Sequence, residues 1–276
     1  MGVPVSAPTD FAALWARRDF IRLAGVAAAT AALVGRAPSD DTTPTETTIY
    51  SLDDDVATTS TLPPGPNLDK FPTPQGAINE LPGADNLLAW TVDDGFSEAC
   101  TRRYIEFAAT SGTRLTFCVI GRCRTWRTLA AELLPLVASG QIQLANHTFS
   151  HTPLTRQSNE KIISDLQRNH DFLFDTYGVD SRPFYRPPGG SRSARTDSVA
   201  ASIGYTVPVM WKGVLEAVDG EKPKAIVKNA KKYFKPQAIV LGHLNQIQVT
   251  KVFPDLQAII SDRGLLTVTL NDVFLV

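Results

Sequence analysis

From Gly83 onward the chain repeats one pattern: a short apolar run, a longer amphipathic stretch, then another apolar run. A strand buried on both faces reads as a nearly continuous apolar run, and a helix covering it carries an apolar stripe at helical spacing. The repeat therefore calls for strand–helix units around a parallel sheet. Strands are predicted at residues 87–91, 115–120, 142–144, 184–186, 205–211, 238–241 and 265–270, and helices at 98–111, 126–139, 159–177, 193–203, 223–234 and 253–262. About seven such units in roughly 190 residues suit a distorted or incomplete (β/α) barrel better than an open doubly wound sheet. No Gly-rich phosphate loop follows the first strand, which weighs further against a nucleotide-binding open sheet.

The region before the repeat has a different texture. Arg17-Arg18-Asp19-Phe20-Ile21-Arg22 runs directly into the apolar stretch from Leu23 to Val34, so residues 1–37 read as a twin-arginine export signal of a bacterial, extracytoplasmic protein. The stretch is shorter than the roughly 20 strongly apolar residues of a membrane span. No small-x-small cleavage site stands out near Gly35-Arg36-Ala37, which leaves an uncleaved membrane tether open. Residues 38–83 are rich in Thr, Pro, Asp and Ser and read as a linker or wrapped extension; Asp53, Asp54 and Asp55 within it lack the ligand spacing of a calcium loop. Residues 84–276 form the catalytic domain of this reading.

With 276 residues, 43% of them apolar, the chain can bury one core plus a tail, and its formal net charge of -1 argues against nucleic acid or anionic lipid as a partner. Lys228 to Lys232 read as a solvated helix face, and no obligate protein partner is inferred. Cys100, Cys118 and Cys123 are too few for a disulfide framework and too dispersed for a thiolate zinc site. A single bridge stays open outside the cytoplasm, and Cys118, in an apolar run, reads as a small buried hydrophobe.

Four polar clusters sit where predicted strands end, the place where barrels of this kind do their chemistry. Thr91-Val92-Asp93-Asp94-Gly95 follows the first strand, and its Gly lets the chain turn so that both carboxylates can reach one pocket. Asn146-His147-Thr148-Phe149-Ser150-His151 follows the third and holds two of the four histidines of the protein. Imidazoles four residues apart can converge on one cation, and two of them with one carboxylate leave a coordination position open for water. Tyr185-Arg186-Pro187-Pro188-Gly189-Gly190-Ser191 and Ile239-Val240-Leu241-Gly242-His243 complete the set. Singly, each has an ordinary structural reading as a turn, a surface cation or a core histidine; their shared placement is the signal.

In order and spacing, TVDDG, HTFSH, RPPGG and the strand ending LGH resemble the NodB-homology polysaccharide deacetylases, carbohydrate esterase family 4, over residues 87–270. The resemblance implies a distorted (β/α) barrel, one divalent metal ion (usually zinc, with Co, Ni or Mn as alternatives), and hydrolysis of acetyl groups on an N-acetylated glycan such as peptidoglycan or a chitin-like polymer. Carried over by motif, it makes Asp94, His147 and His151 the metal ligands, Asp93 the general base and Arg186 its partner. The backbone N–H of Gly189 becomes an oxyanion donor, Leu241 the wall of an acetyl pocket and His243 the general acid. Thr148 and Ser150 would brace the histidine loop.

Two positions depart from the pattern. Gly189 stands where relatives commonly have an aromatic residue. Lys212-Gly213-Val214-Leu215 stands where they carry an Asp that tunes the catalytic histidine, with Glu216 and Asp219 the nearest acids. Trp126, Phe149 and Trp211 are readable either as core or as sugar-stacking rings. The alternatives to N-deacetylation are an O-acetyl esterase or cyclic-amide hydrolase on the same barrel and, from another class, a non-catalytic glycan- or metal-binding protein.

Overall fold

The computed structural model describes residues 65–276 except Val218. The export signal read at 1–37, the aspartates at 53–55 and the first part of the 38–83 extension lie outside the described residues. Eight parallel strands form one sheet: β1 (Leu87–Asp94), β2 (Leu115–Val119), β3 (Ile142–Asn146), β4 (Phe184–Tyr185), β5 (Val207–Pro208), β6 (Gly213–Val214), β7 (Ala238–His243) and β8 (Leu266–Thr267). Their order is β5-β4-β3-β2-β1-β7-β6, and β8 joins the lower end of β1 at Leu87 and Leu88. The sheet curls into a half-barrel with helices packed against it, a distorted (β/α) barrel.

The helices are α1 (Glu98–Ser111), α2 (Thr125–Thr128), α3 (Ala130–Ala138), α4 (Asn159–Tyr177), α5 (Ala194–Ala201), α6 (Pro223–Tyr233), α7 (Phe253–Asp262) and α8 (Leu270–Val273). The ends of α1 and α4 follow from capping chemistry. Ser97 and Ser158 accept the backbone N–H three residues on, and Gly112 and Gly178 close the helices in the left-handed region. The single helix expected over 126–139 is instead two, because Leu129 leaves helical geometry (φ -97, ψ 10) between α2 and α3.

Side-chain alternation along the strands divides the interior. Leu88, Trp90 and Val92 of β1 join Phe117, Leu144 and Val240 in the large cluster beneath the helices. Leu87, Ala89, Cys118, Ala145 and Ile239 face the smaller cluster on the other side of the sheet, with Leu81, Val273 and Phe274. On that same period-two face, further up β1, lie Thr91 and Asp93, fully or almost fully buried. The lower part of the half-barrel interior is thus apolar, and charge collects near the carboxyl ends of the strands.

Residues 65–83 wrap this domain. Phe71 N–H donates to Val273 O (2.8 Å), Ile78 N–H to Pro208 O (3.1 Å) and Leu81 N–H to Gln237 O (2.8 Å), and Leu81 is buried. All three cysteines are free and buried. Among the described residues no helix is long and apolar enough to cross a membrane.

Candidate active site

Strand alternation points Asp93 into the half-barrel and would send the next side chain to the helix side. The backbone overrules it: Asp94 adopts φ 85 and Gly95 φ 106, so both carboxylates reach the mouth of the half-barrel. Gly95 cannot carry a side chain, since a Cβ there would lie 2.5 Å from the Trp126 ring. Trp126 is wholly buried and its indole N–H donates to Asp94 O (3.1 Å), so it belongs to the core and fixes the turn.

Across the mouth, His147 and His151 aim Nε2 at the same Asp94 Oδ1, each at 3.4 Å. Ligand atoms of Asp94, His147 and His151 all lie within 4.8 Å of one another, and Asp94 Oδ1 is a buried acceptor without a hydrogen bond. His147 Nδ1 meets Arg186 O at 2.7 Å; because a carbonyl only accepts, Nδ1 carries the proton and Nε2 offers its lone pair to the centre. An orphaned carboxylate oxygen facing two imidazole nitrogens is the donor set of a divalent cation with an open position, so these residues fit the metal.

Electrostatics agree with that assignment. Burial by itself would raise the Asp94 carboxyl, but the neighbouring His147 and His151 imidazoles and the hydrogen bond from Asn245 hold it well below the ordinary carboxylate range. Burial disfavours a charged His147, yet Asp93 and Asp94 outweigh it and raise that imidazole. His151 is lowered to about 4 by burial and by the neighbouring His147 charge, against the pull of the carboxylates.

The loop holding the histidines is strained and braced. Of the four non-glycine residues with positive φ among the described residues, Asp94, Thr148 (φ 63) and His151 (φ 61) are in this site. Thr148 N–H donates to Asn146 Oδ1 (2.8 Å), and its hydroxyl accepts from His151 N–H (2.9 Å). Ser150 donates to both carboxylate oxygens of Asp165 on α4, from N–H (2.8 Å) and Oγ (2.7 Å).

Asp93 is held from the other side. Arg186, 0% exposed, donates from Nη1 to both of its oxygens (2.9 and 3.1 Å) and from Nη2 to Thr91 Oγ1 (2.8 Å). Parallel pairing of β1 with β7 sets Asp93 beside His243, and Leu241, two residues earlier, is buried. His243 Nδ1 lies 3.1 Å from the backbone O of Glu216, and its N–H donates to Glu216 Oε1 (2.8 Å). Gly189 sits exposed at the tip of the turn Pro188–Gly190 with φ 59. Trp211 is half-buried against Arg186, whose guanidinium carbon is 5.1 Å from the ring centre. Half-buried Phe149 carries Arg168 over its ring at 3.7 Å.

Several participants were not singled out from the sequence. Asn245 donates to Asp94 Oδ2 (2.6 Å), and Asn146 and Asp165 hold the histidine loop. Asn245, two residues past LGH, and Asn146, at the head of HTFSH, adjoin motifs. Asp165 is an ordinary helix acid in sequence, with no signal to mark it.

The polysaccharide deacetylase family profile matches residues 81–208, the stretch that supplies Asp93, Asp94, His147, His151 and Arg186. Over that stretch the chain carries a polysaccharide deacetylase domain. It is 34% identical over 127 residues to chitin deacetylase 1 of Cryptococcus neoformans, an alignment covering 46% of this chain and 26% of that one. To the peptidoglycan-N-acetylglucosamine deacetylase of Bacillus cereus it is 28% identical over 173 residues, 62% of this chain and 78% of that one. The chain thus spans about a quarter of the first relative and over three quarters of the second. Among solved structures, the T48 deacetylase with substrate superposes with a TM-score of 0.60 at 26% identity, covering 68% of this chain and 89% of that one.

Proposed function

We propose that the protein is a metal-dependent hydrolase that removes N-acetyl groups from an amino-sugar polymer of the chitin or peptidoglycan kind. The convergence of Asp94, His147 and His151 on one point, beside an Arg-held carboxylate and a histidine, carries this reading. Asp94, His147 and His151 would hold one divalent cation, zinc being the natural fit to two imidazoles and a carboxylate. Such a cation, when bound, makes water more acidic and polarises a carbonyl.

The chain's own groups supply the rest. Asp93, anchored by Arg186 and 3.6 Å from His147 Nε2, accepts the proton of the attacking water. The exposed Gly189 backbone N–H stabilises the developing oxyanion. Leu241 walls the acetyl methyl, and His243 delivers a proton to the departing amine from Nε2. Thr148 and Ser150 keep the histidine loop in its strained shape. Export by the twin-arginine route, with or without a retained membrane tether, would put this chemistry next to a cell-envelope glycan.

Acetate release from N-acetylglucosamine oligomers and peptidoglycan fragments, before and after chelation and zinc return, tests the reading. Release that chelator abolishes and zinc restores is expected. Release only from O-acetylated xylan or from cyclic amides would move the assignment to the esterase or amidase alternatives, and metal and glycan binding without any release would make the protein a binder.

A further inference from the structure

One buried acid has no part in the chemistry above. Glu216 follows β6 and is 1% exposed, with a carboxylate oxygen, Oε2, that makes no hydrogen bond. Trp90 Nε1 and Tyr104 Oη are likewise buried without partners. The three groups converge on Gly242: a Cβ built there would lie 3.2 Å from Trp90 Nε1, 3.4 Å from Glu216 Oε1 and 3.5 Å from Tyr104 Oη. With no side chain at Gly242, this polar cluster packs close against β7, one residue before His243.

Glu216 grips His243 twice. Its Oε1 accepts the His243 backbone N–H at 2.8 Å, and its own backbone oxygen lies 3.1 Å from the ring Nδ1. Since a carbonyl oxygen can only accept, this contact requires the proton on Nδ1 and leaves Nε2 to exchange protons with a substrate. The carboxyl makes no hydrogen bond to the imidazole: what it holds is the strand.

We propose that Glu216 is the positioning residue of His243, its carboxyl clamping the main chain of the histidine while its backbone carbonyl selects the ring tautomer. The clamp works with an uncharged carboxyl. Among the described residues no cation pairs with Glu216, and a buried unpaired carboxylate is strongly disfavoured. The titratable groups facing it are Cys100 and Tyr104 from α1, His243 from β7 and Glu221 ahead of α6, and none is a fixed cation. Burial, opposed by the His243 N–H and assisted by the Glu221 charge, pushes the Glu216 carboxyl up to about 8. His243 is thereby oriented without a charged partner, in contrast to Asp93, which is oriented by an ion pair.

The inference rests on the deacetylase reading only for its kinetic arm. In ¹⁵N-detected imidazole spectra of the zinc-loaded full chain, neutral His243 is expected as the Nδ1–H tautomer; the Nε2–H tautomer would overturn the clamp whatever the enzyme does. In acetate-release assays, Glu216→Ala should lower kcat about tenfold or more with KM nearly unchanged, within the range for a misplaced general acid. Glu216→Gln, which keeps the shape and the acceptor oxygen but cannot ionise, should restore most of that loss and leave the acid limb of the pH profile in place. A Glu216→Gln enzyme as slow as Glu216→Ala, or one whose pH limb moves by a unit, would show that an ionised carboxylate is needed. Should Glu216→Ala fail to fold, the wild-type tautomer and the Glu216→Gln pH profile decide. No acetate release from any glycan alongside the expected tautomer would refute the functional reading and leave the clamp standing.

Discussion

The two halves of the site solve the same problem, holding a side chain still near the mouth of a half-barrel, by opposite means. On the side formed by β1, β3 and β4, ionised carboxylates set the geometry: Asp93 is paired with Arg186 and Asp94 faces two imidazoles, with positive φ at Asp94, Thr148 and His151. On the β6–β7 side, His243 is fixed by a backbone carbonyl and a carboxyl that burial keeps neutral. Such an ionic corner needs its partners present and in their proper protonation states. A neutral corner needs only its shape.

The largest effects should therefore come from breaking the ionic corner. His147→Ala removes a ligand and should reduce both bound metal and acetate release to background, as metal analysis beside the activity assay would show. Asp93→Asn should leave metal stoichiometry unchanged while lowering kcat by roughly 10²- to 10⁴-fold, the usual value of a general base. Retained activity in Asp93→Asn would end the base assignment and with it half of the contrast.

A smaller effect is expected one contact further out. Asn245→Ala deletes the hydrogen bond to Asp94 Oδ2 and should weaken metal affinity about 10- to 100-fold, as loss of outer hydrogen bonds to ligands commonly does. The pH dependence sharpens this. His147 is raised above the ordinary imidazole value, so protons compete with the metal from that point downward, whereas His151, lowered to about 4, stays available until far more acid conditions. One proton is displaced between these limits, and zinc affinity should fall about tenfold per pH unit there. A hundredfold fall per unit, by competition titration, would mean that both imidazoles titrate together.

The smallest effect concerns stability at the neutral corner. Glu216 has a folded pKa of about 8 against an ordinary value of 4.5, so between these the folded state holds more protons than the unfolded chain. Stability must then fall as pH rises through that window. Gln at 216 does not titrate, so its stability relative to wild type should grow from pH 5 to pH 8, by roughly 1–3 kcal/mol in urea unfolding. A gap independent of pH would mean that Glu216 is not held neutral.

How much could be read without coordinates depended on whether a signal was local. Helices α1, α4 and α7 fall where periodicity predicted them, and for α1 and α4 the caps are adjacent residues. The strand expected over 205–211 is reduced to Val207–Pro208. Pro208 has no N–H, and the main chain beyond it pairs with Ile78 of the wrapping segment, from Met210 N–H to Ile78 O (2.6 Å). The strand expected over 265–270 stops at Thr267, because Thr269 opens α8 with a capping box. Strand β6, two residues long, is too short to leave a periodic signal.

Sequence alone determined the repeating strand–helix order, and hence that the clusters TVDDG, HTFSH, RPPGG and LGH would all fall at strand ends; local alternation of apolar and polar residues carries that information. Only the tertiary structure decided how the side chains meet. The backbone turn at Asp94, the reach of Asn245 and Asp165 into the ionic corner, and the clamp of Glu216 on a residue 27 positions away all depend on the register between β1, β3 and β7 and on burial. Those are distances across a folded chain, and no spacing along an unfolded one contains them.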